Sequence, residues 1–377
     1  MKIGKLEFKD YAAQKPLSLS TTGGFLTARD IAAEPSLSFG SLHTLDTADK
    51  LKLALARYEL EPDFKLAVMG RGILSKTEIM EHMKQQTEFG LQAINVEMTY
   101  CNELIASLGP GGPAVPAWPK ISKNPIPIRP DWKPIGRCLM LKLKTQALFC
   151  ENTTDQVTTS FANYRIANVH PVFAARGFTV NVIKDHNDTR PNFIPLAKSS
   201  LTVYLGGIGH GNYTTYTGDA FNVILQVGVY DPAEVSGKAI HFLSCETAGQ
   251  LGPDTVSKGA KSYAGYTENF TFVWDDPNTP VNEVQLFMQA DSTFDIAMAN
   301  GATAQQAYNN TVQAFNAGIA QVPNTTAASW LTYDRDHLKL MGDPNAVIQP
   351  YRLVKICFPL ASAKLEALAV AGELVEK

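Results

Sequence analysis

Between residues 138 and 267 the chain alternates short apolar runs with longer stretches of helical character, and this alternation leaves few folds open. The runs are "CLMLKLKTQALF" (138–149), "FTVNVI" (178–183), "LTVYLGG" (201–207), "AIHFLSC" (239–245) and "SYAGYT" (262–267). They are short, apolar and rich in β-branched and aromatic residues, which suits buried strands. A helix is predicted around 160–175, between the first two runs. Parallel neighbours need a long crossover, and the crossover helix covers a face of the sheet. The order therefore predicts an α/β fold: a mostly parallel sheet with helices on both faces. Further helices are predicted over 284–299 and 303–321, a last strand over 337–344, and a C-terminal helix over 360–376.

The first 109 residues read differently. "SKTE" at 75–78 is a capping box, in which Ser75 and Glu78 each bond the other's amide. Apolar residues follow at Ile79, Met83, Ile94, Met98, Cys101, Ile105 and Leu108, a helical stripe that Gly109-Pro110 stops. One long amphipathic helix is predicted there, with another over 45–58. Pro110 to Pro134 then holds eight prolines in 25 residues, which excludes helix and central strand. The chain thus divides into a mainly helical N-terminal region (1–109) with a regulatory or docking role, a proline-rich linker (110–134) and an α/β domain (135–377).

Composition removes several functions. The net charge is −3, with both signs interspersed, so nothing favours nucleic acid. No apolar run approaches the ~20 residues that span a bilayer, and the start "MKIGKLEFKDYAAQK" lacks the apolar core of a signal peptide. A soluble, cytoplasmic protein without a membrane partner is expected. The five cysteines are scattered and never form a CxxC pair, which argues against a disulfide framework and a zinc site. No metal or cofactor is expected.

Two consecutive predicted strands end in reactive side chains. The third runs into "GGIGHGN" (206–212), and the fourth ends in Ser244-Cys245-Glu246. Parallel neighbours bring their carboxyl ends to one edge of the sheet, where open α/β folds bind ligands. His210 and Cys245 are thereby predicted to face each other as a thiol nucleophile and its histidine partner. A phosphate loop is disfavoured, because no Lys-Ser/Thr follows the glycines. His241 is read as facing a helix layer, and His170 and His186 as surface or capping residues.

"YLGGIGHGN" followed by "IHFLSCETA" resembles the caspase-like (clan CD) cysteine peptidases, which include caspases, gingipains, separase and the CHAT peptidases. "SCET" is similar to the CHAT pattern. The short gap between His210 and Cys245, "KGAKSYAGYT", and "LMGDPN" look more like gingipains, and the resemblance covers about 138–350. It implies a cysteine endopeptidase without cofactor, acting on protein or peptide substrates. Cys245 would be the nucleophile, activated by partial exposure near the imidazole. His210 would be the proton donor, and the amide of Gly211 would serve the oxyanion together with that of Cys245. Glu151 would orient His210, and Asp155 would sit in the pocket for the residue before the scissile bond, selecting Arg or Lys. Asp185, Asp188, Trp274, Asp275 and Asp276 compete for that pocket. An activating protein partner would act through the N-terminal region. The rival reading is a catalytically silent binding or scaffold protein of the same fold.

Overall fold

The computed structural model describes residues 1–3, 5–37, 41–108, 117–119, 138–274 and 283–357. Its centre is a six-stranded sheet of β1 (Gln146–Glu151), β2 (Thr179–Lys184), β3 (Thr202–Ile208), β4 (Ala239–Leu243), β5 (Ser262–Tyr266) and β6 (Leu338–Gly342). The spatial order is β6-β5-β4-β3-β1-β2. All neighbours are parallel except the antiparallel edge strand β6. The strand order reverses between β1 and β3, so the crevice beyond their carboxyl ends is where this topology places ligands.

Alternation along each strand assigns the two faces. Leu148, Leu205, Ile240 and Tyr263 pack with Phe193 and Leu251 on one side. Ala147, Phe149, Tyr204 and Ala264 pack with Phe173, Phe294 and Met298 on the other. Both faces are covered, which matches apolar runs without a polar side.

The expected strand 138–149 is two elements. Cys138–Lys144 pairs antiparallel with Tyr351–Cys357, away from the central sheet, while Gln146–Glu151 enters it. The residues explain the split: "CLMLKLK" alternates lysine with leucine and suits a ribbon with one wet face, whereas "ALFC" is apolar on both sides.

Seven helices carry the remaining packing that matters here: α1 (Thr47–Leu60), α2 (Lys76–Lys84), α3 (Glu88–Leu108), α4 (Thr159–Asn168), α5 (Val284–Ala299), α6 (Ala304–Gln321) and α7 (Thr326–His337). The capping box at Ser75 is present. The single long helix expected from it is instead broken into α2 and α3 at residues 85–87, where Gln86 has φ +51°. The turn is tight enough that a Cβ on Gly90 would lie 1.9 Å from the His82 carbonyl oxygen. Gly90 thus permits the crossing that a continuous helix would lack. The proline-rich stretch lies largely outside the described residues, and the C-terminal helix over 360–376 wholly so.

The N-terminal region adds short strands to its helices. A hairpin of Lys65–Val68 and Gly72–Ser75 pairs through its first strand with Thr271–Val273, just beyond β5. One apolar cluster runs from Leu53, Leu66, Val68 and Met98 to Leu243, Cys245, Phe272, Phe287 and Trp330. Arg57 of α1 is buried in the same region, bonded to Glu97 of α3 at 2.5 Å and to Asn324 at 2.7 Å. No helix among the described residues is long and apolar enough to cross a membrane.

Candidate functional site

The turn after β3 is built by glycines that let backbones touch. A Cβ on Gly209 would stand 2.0 Å from the Thr217 carbonyl oxygen, and one on Gly211 would stand 2.2 Å from Ser244 Oγ. Chain 209–217 therefore folds back on itself and against the turn after β4. The backbone of His210 is held by Thr217, whose amide and hydroxyl both donate to the His210 carbonyl at 2.9 and 3.1 Å. Its ring stacks on Phe221 with centroids 4.8 Å apart. Ala220 and Phe221 both have positive φ, +47° and +60°, and Phe221 is 62% exposed. Two non-glycine residues in that region are strained, and such strain collects at ligand-binding loops.

Asp155, on the loop after β1, places Oδ1 3.1 Å from His210 Nε2. The two atoms stand within reach of each other, but neither ring nitrogen meets hydrogen-bond geometry. His210 holds the Asp155 carboxyl below the usual range, helped by the amides of Val157 and Thr158. The carboxylate beside His210 is thus Asp155, the residue expected in the substrate pocket.

Glu151, expected to orient His210, is turned elsewhere. It is fully buried, 3.1 Å from Arg165 Nε and 2.8 Å from His170 Nε2. It belongs to a buried network beneath the site. Arg165 of α4 reaches Asp295 at 2.7 Å and Asp291 at 3.6 Å, both on α5. His241 lies 3.2 Å from Asp295 and 3.4 Å from Asp291. Tyr204 donates to Asp295 at 2.6 Å and Tyr266 to Asp291 at 2.9 Å. Burial alone would lower His241, but Asp295 and Asp291 outweigh it and hold it up at about 9. Burial would raise Asp295, yet Arg165 and His241 keep it well below the carboxylate range. His241, Asp291 and Asp295 also bring ligand atoms together as a metal site would. Arg165 already supplies their cation. His170 is buried in this network, not at the surface as its isolation in sequence suggested.

The register pairs Ile208 with Leu243, so His210 and Cys245 each stand two residues past the ends of paired parallel strands. Cys245 itself differs from expectation: it is fully buried, not partly exposed. Its Sγ donates to the Met69 carbonyl at 3.0 Å, in the turn of the N-terminal hairpin. Burial pushes the thiol well above its ordinary range, despite an amide hydrogen bond from Phe270. A protonated, covered thiol is unreactive as it stands. Glu246 follows at φ +57°, with its amide bonded to the Glu268 carbonyl.

A cavity of about 470 Å³ begins at Glu246, the residue after Cys245, and its wall also carries Glu88, Glu268 and Asp336, while Cys245 itself does not line it. Arg71, from the same hairpin turn as Met69, sits in it 3.4 Å from Glu88. The other pocket candidates fall apart from it. Asp185 is exposed on its loop and bonds Thr153. Trp274 packs on the N-terminal cluster beneath Lys65, and Asp275 and Asp276 lie outside the described residues. Asp188, under the 209–222 loop, is buried with both carboxyl oxygens unpaired. Burial, with Glu151 and Asp219 nearby, pushes it up to about 8.

No protein-family model matches the chain, and no curated protein does. Among solved structures, the complex of Porphyromonas gingivalis RgpB pro- and mature domains is similar over 55% of this chain and 49% of that one. The identity is 13% and the TM-score 0.36. The chain spans about half the length of that neighbour.

Proposed function

We propose that the chain is a cysteine peptidase held closed, with Cys245 as nucleophile, His210 as general acid and Asp155 as the carboxylate that positions it. The observation that carries this reading is the placement of His210 and Cys245 just past the ends of hydrogen-bonded parallel strands, with Asp155 3.1 Å from the imidazole. In the reaction, Cys245 Sγ gives its proton to the His210 imidazole and forms a C–S bond to the substrate carbonyl carbon. His210 protonates the amine as the C–N bond breaks, and water then hydrolyses the thioester to free the thiol. The amides of Gly211 and Cys245 would bind the oxyanion.

Cleavage after Arg or Lys is supported by the acidic cavity that begins at Glu246, next in sequence to Cys245, and already takes one guanidinium of the chain itself, Arg71. Asp155 would act on His210 rather than on that side chain. Asp155→Asn is expected to lower the rate by about 10²-fold through loss of imidazole orientation and charge. A kcat effect with KM unchanged is the signature to look for, using a peptide with arginine before the scissile bond.

A second reading, a silent binding or scaffold protein, is favoured by one observation: the covered Cys245 thiol bonded to Met69. The test compares the full chain with Val68→Asp, which places an unpaired charge in the buried hairpin strand and loosens it. Each is also assayed after nicking between residues 110 and 134, so that a variant that fails to fold does not end the test. An electrophilic thiol probe and a peptide library supply the readouts. Labelling and cleavage that appear on opening and vanish in Cys245→Ala support the latent peptidase. Labelling of Cys245 without any cleavage supports the silent protein.

A further inference from the structure

The amino-terminal edge of the sheet, opposite His210, opens onto a second cavity of about 620 Å³. Its wall carries Lys198, Lys238, Lys261 and Arg352, and no carboxylate among the described residues. In a chain of net charge −3, this is a local excess of cations. Lys142, over the ring of Tyr351 at 3.8 Å, adds another at the rim.

Lys238 carries most of the argument. It stands immediately before β4 and is 3% exposed. Its ammonium donates to the carbonyls of Ala233 at 3.0 Å and Ser236 at 3.1 Å. An ammonium has three donors, so one remains for a ligand. Glu234, the carboxylate that acts on it, is committed to both terminal nitrogens of Arg190 at 2.9 and 3.0 Å. Burial accordingly lowers Lys238 to about 8. A buried cation without its own counter-ion is costly, and a bound anion would relieve it. Lys261 adjoins it, its amide bonding the Lys238 carbonyl at 2.8 Å. Neither Lys261 nor Arg352 has an ion-pair partner among the described residues, and Lys198 shares its charge with Asp231. Ser199 and Ser236 add hydroxyls, while Ile348 and Tyr351 give an apolar wall.

We propose that this cavity binds a small molecule bearing several closely spaced phosphates. The volume suits a small ligand, and several separated cations around a concavity match multiple negative charges better than one. The site is independent of the peptidase reading, since none of its residues touches His210 or Cys245.

The full-length chain titrated with inorganic tripolyphosphate in a calorimeter tests it. One-to-one binding is expected, weakened about tenfold or more in Lys261→Glu and in Arg352→Glu, both exposed positions that leave folding intact. Lys238→Met is expected to abolish binding, with its melting curve recorded alongside. ATP and phosphatidylserine vesicles are the comparison arms. ATP binding tighter than tripolyphosphate supports the site and adds Tyr351 as a wall for the base. Vesicle binding without tripolyphosphate binding overturns it, as does tripolyphosphate binding that Lys261→Glu and Arg352→Glu leave unchanged, or none in the wild type.

Discussion

Arg165→Met is expected to destabilise the fold by about 3–5 kcal/mol, since removing one partner of a buried ion network strands the others. The guanidinium stands between Glu151, Asp291 and Asp295, all fully buried. With Arg165 gone, three carboxylates face each other with only His241 and His170 to offset them. That loss is a large share of the about 5–15 kcal/mol by which domains are stable. Urea unfolding followed by circular dichroism reads it as a lower midpoint. A change below about 1 kcal/mol, the size usual for exposed pairs, would show that Arg165 is not the centre of the network. The methionine keeps the volume and apolar stem, so the effect reports the charge rather than a cavity.

The second large effect is a fall in stability as pH rises. His241 is held at about 9, above its unfolded value of 6.5. The folded state therefore binds its proton more tightly, and the stability this gives is full below about 6.5 and lost as pH rises through about 9. By the same arithmetic it amounts to roughly 3 kcal/mol. Asp188 acts in the same direction at lower pH: held at about 8 when folded against 3.8 unfolded, it costs stability as pH rises between those values. Thermal melts from pH 5 to 8 are expected to fall throughout, below the range in which Lys238, held at about 8, begins to act in the opposite direction. Asp188→Asn, which cannot ionise, is expected to flatten the fall below about pH 6.5 and leave above it the shallower fall that His241 causes. A wild-type profile that rises with pH from 6 to 9 would contradict both assignments.

The α/β class was legible because doubly buried strands leave apolar runs such as "AIHFL" that no other common element produces at that length. The bounds of α5 and α6 lie within one residue of those expected over 284–299 and 303–321. What escaped was governed by contacts between distant residues. Nothing local in "MGRG" says that the Met69 carbonyl meets Cys245, 176 residues away. That Asp155 rather than Glu151 stands beside His210 turns on where a loop points after β1, which spacing alone does not fix. One signal was available for the buried network. Asp291 and Asp295 stand four residues apart on a helix otherwise buried nearly all round, a position that a carboxylate rarely occupies without a cation.

The pairing of Lys65–Val68 with Thr271–Val273 also sets a clock on synthesis. The hairpin leaves the ribosome long before its partner strand exists. At about 5–20 residues per second, it waits roughly 10–40 s with one edge open. That edge is made of Leu66, Ala67, Val68 and Met69, all fully buried in the finished protein. During this interval it is a short, mostly apolar template for β-pairing with a neighbouring chain, guarded by the single charge of Lys65. Nascent chains stalled before Thr271 are therefore the form of this protein most prone to aggregate and most dependent on chaperones.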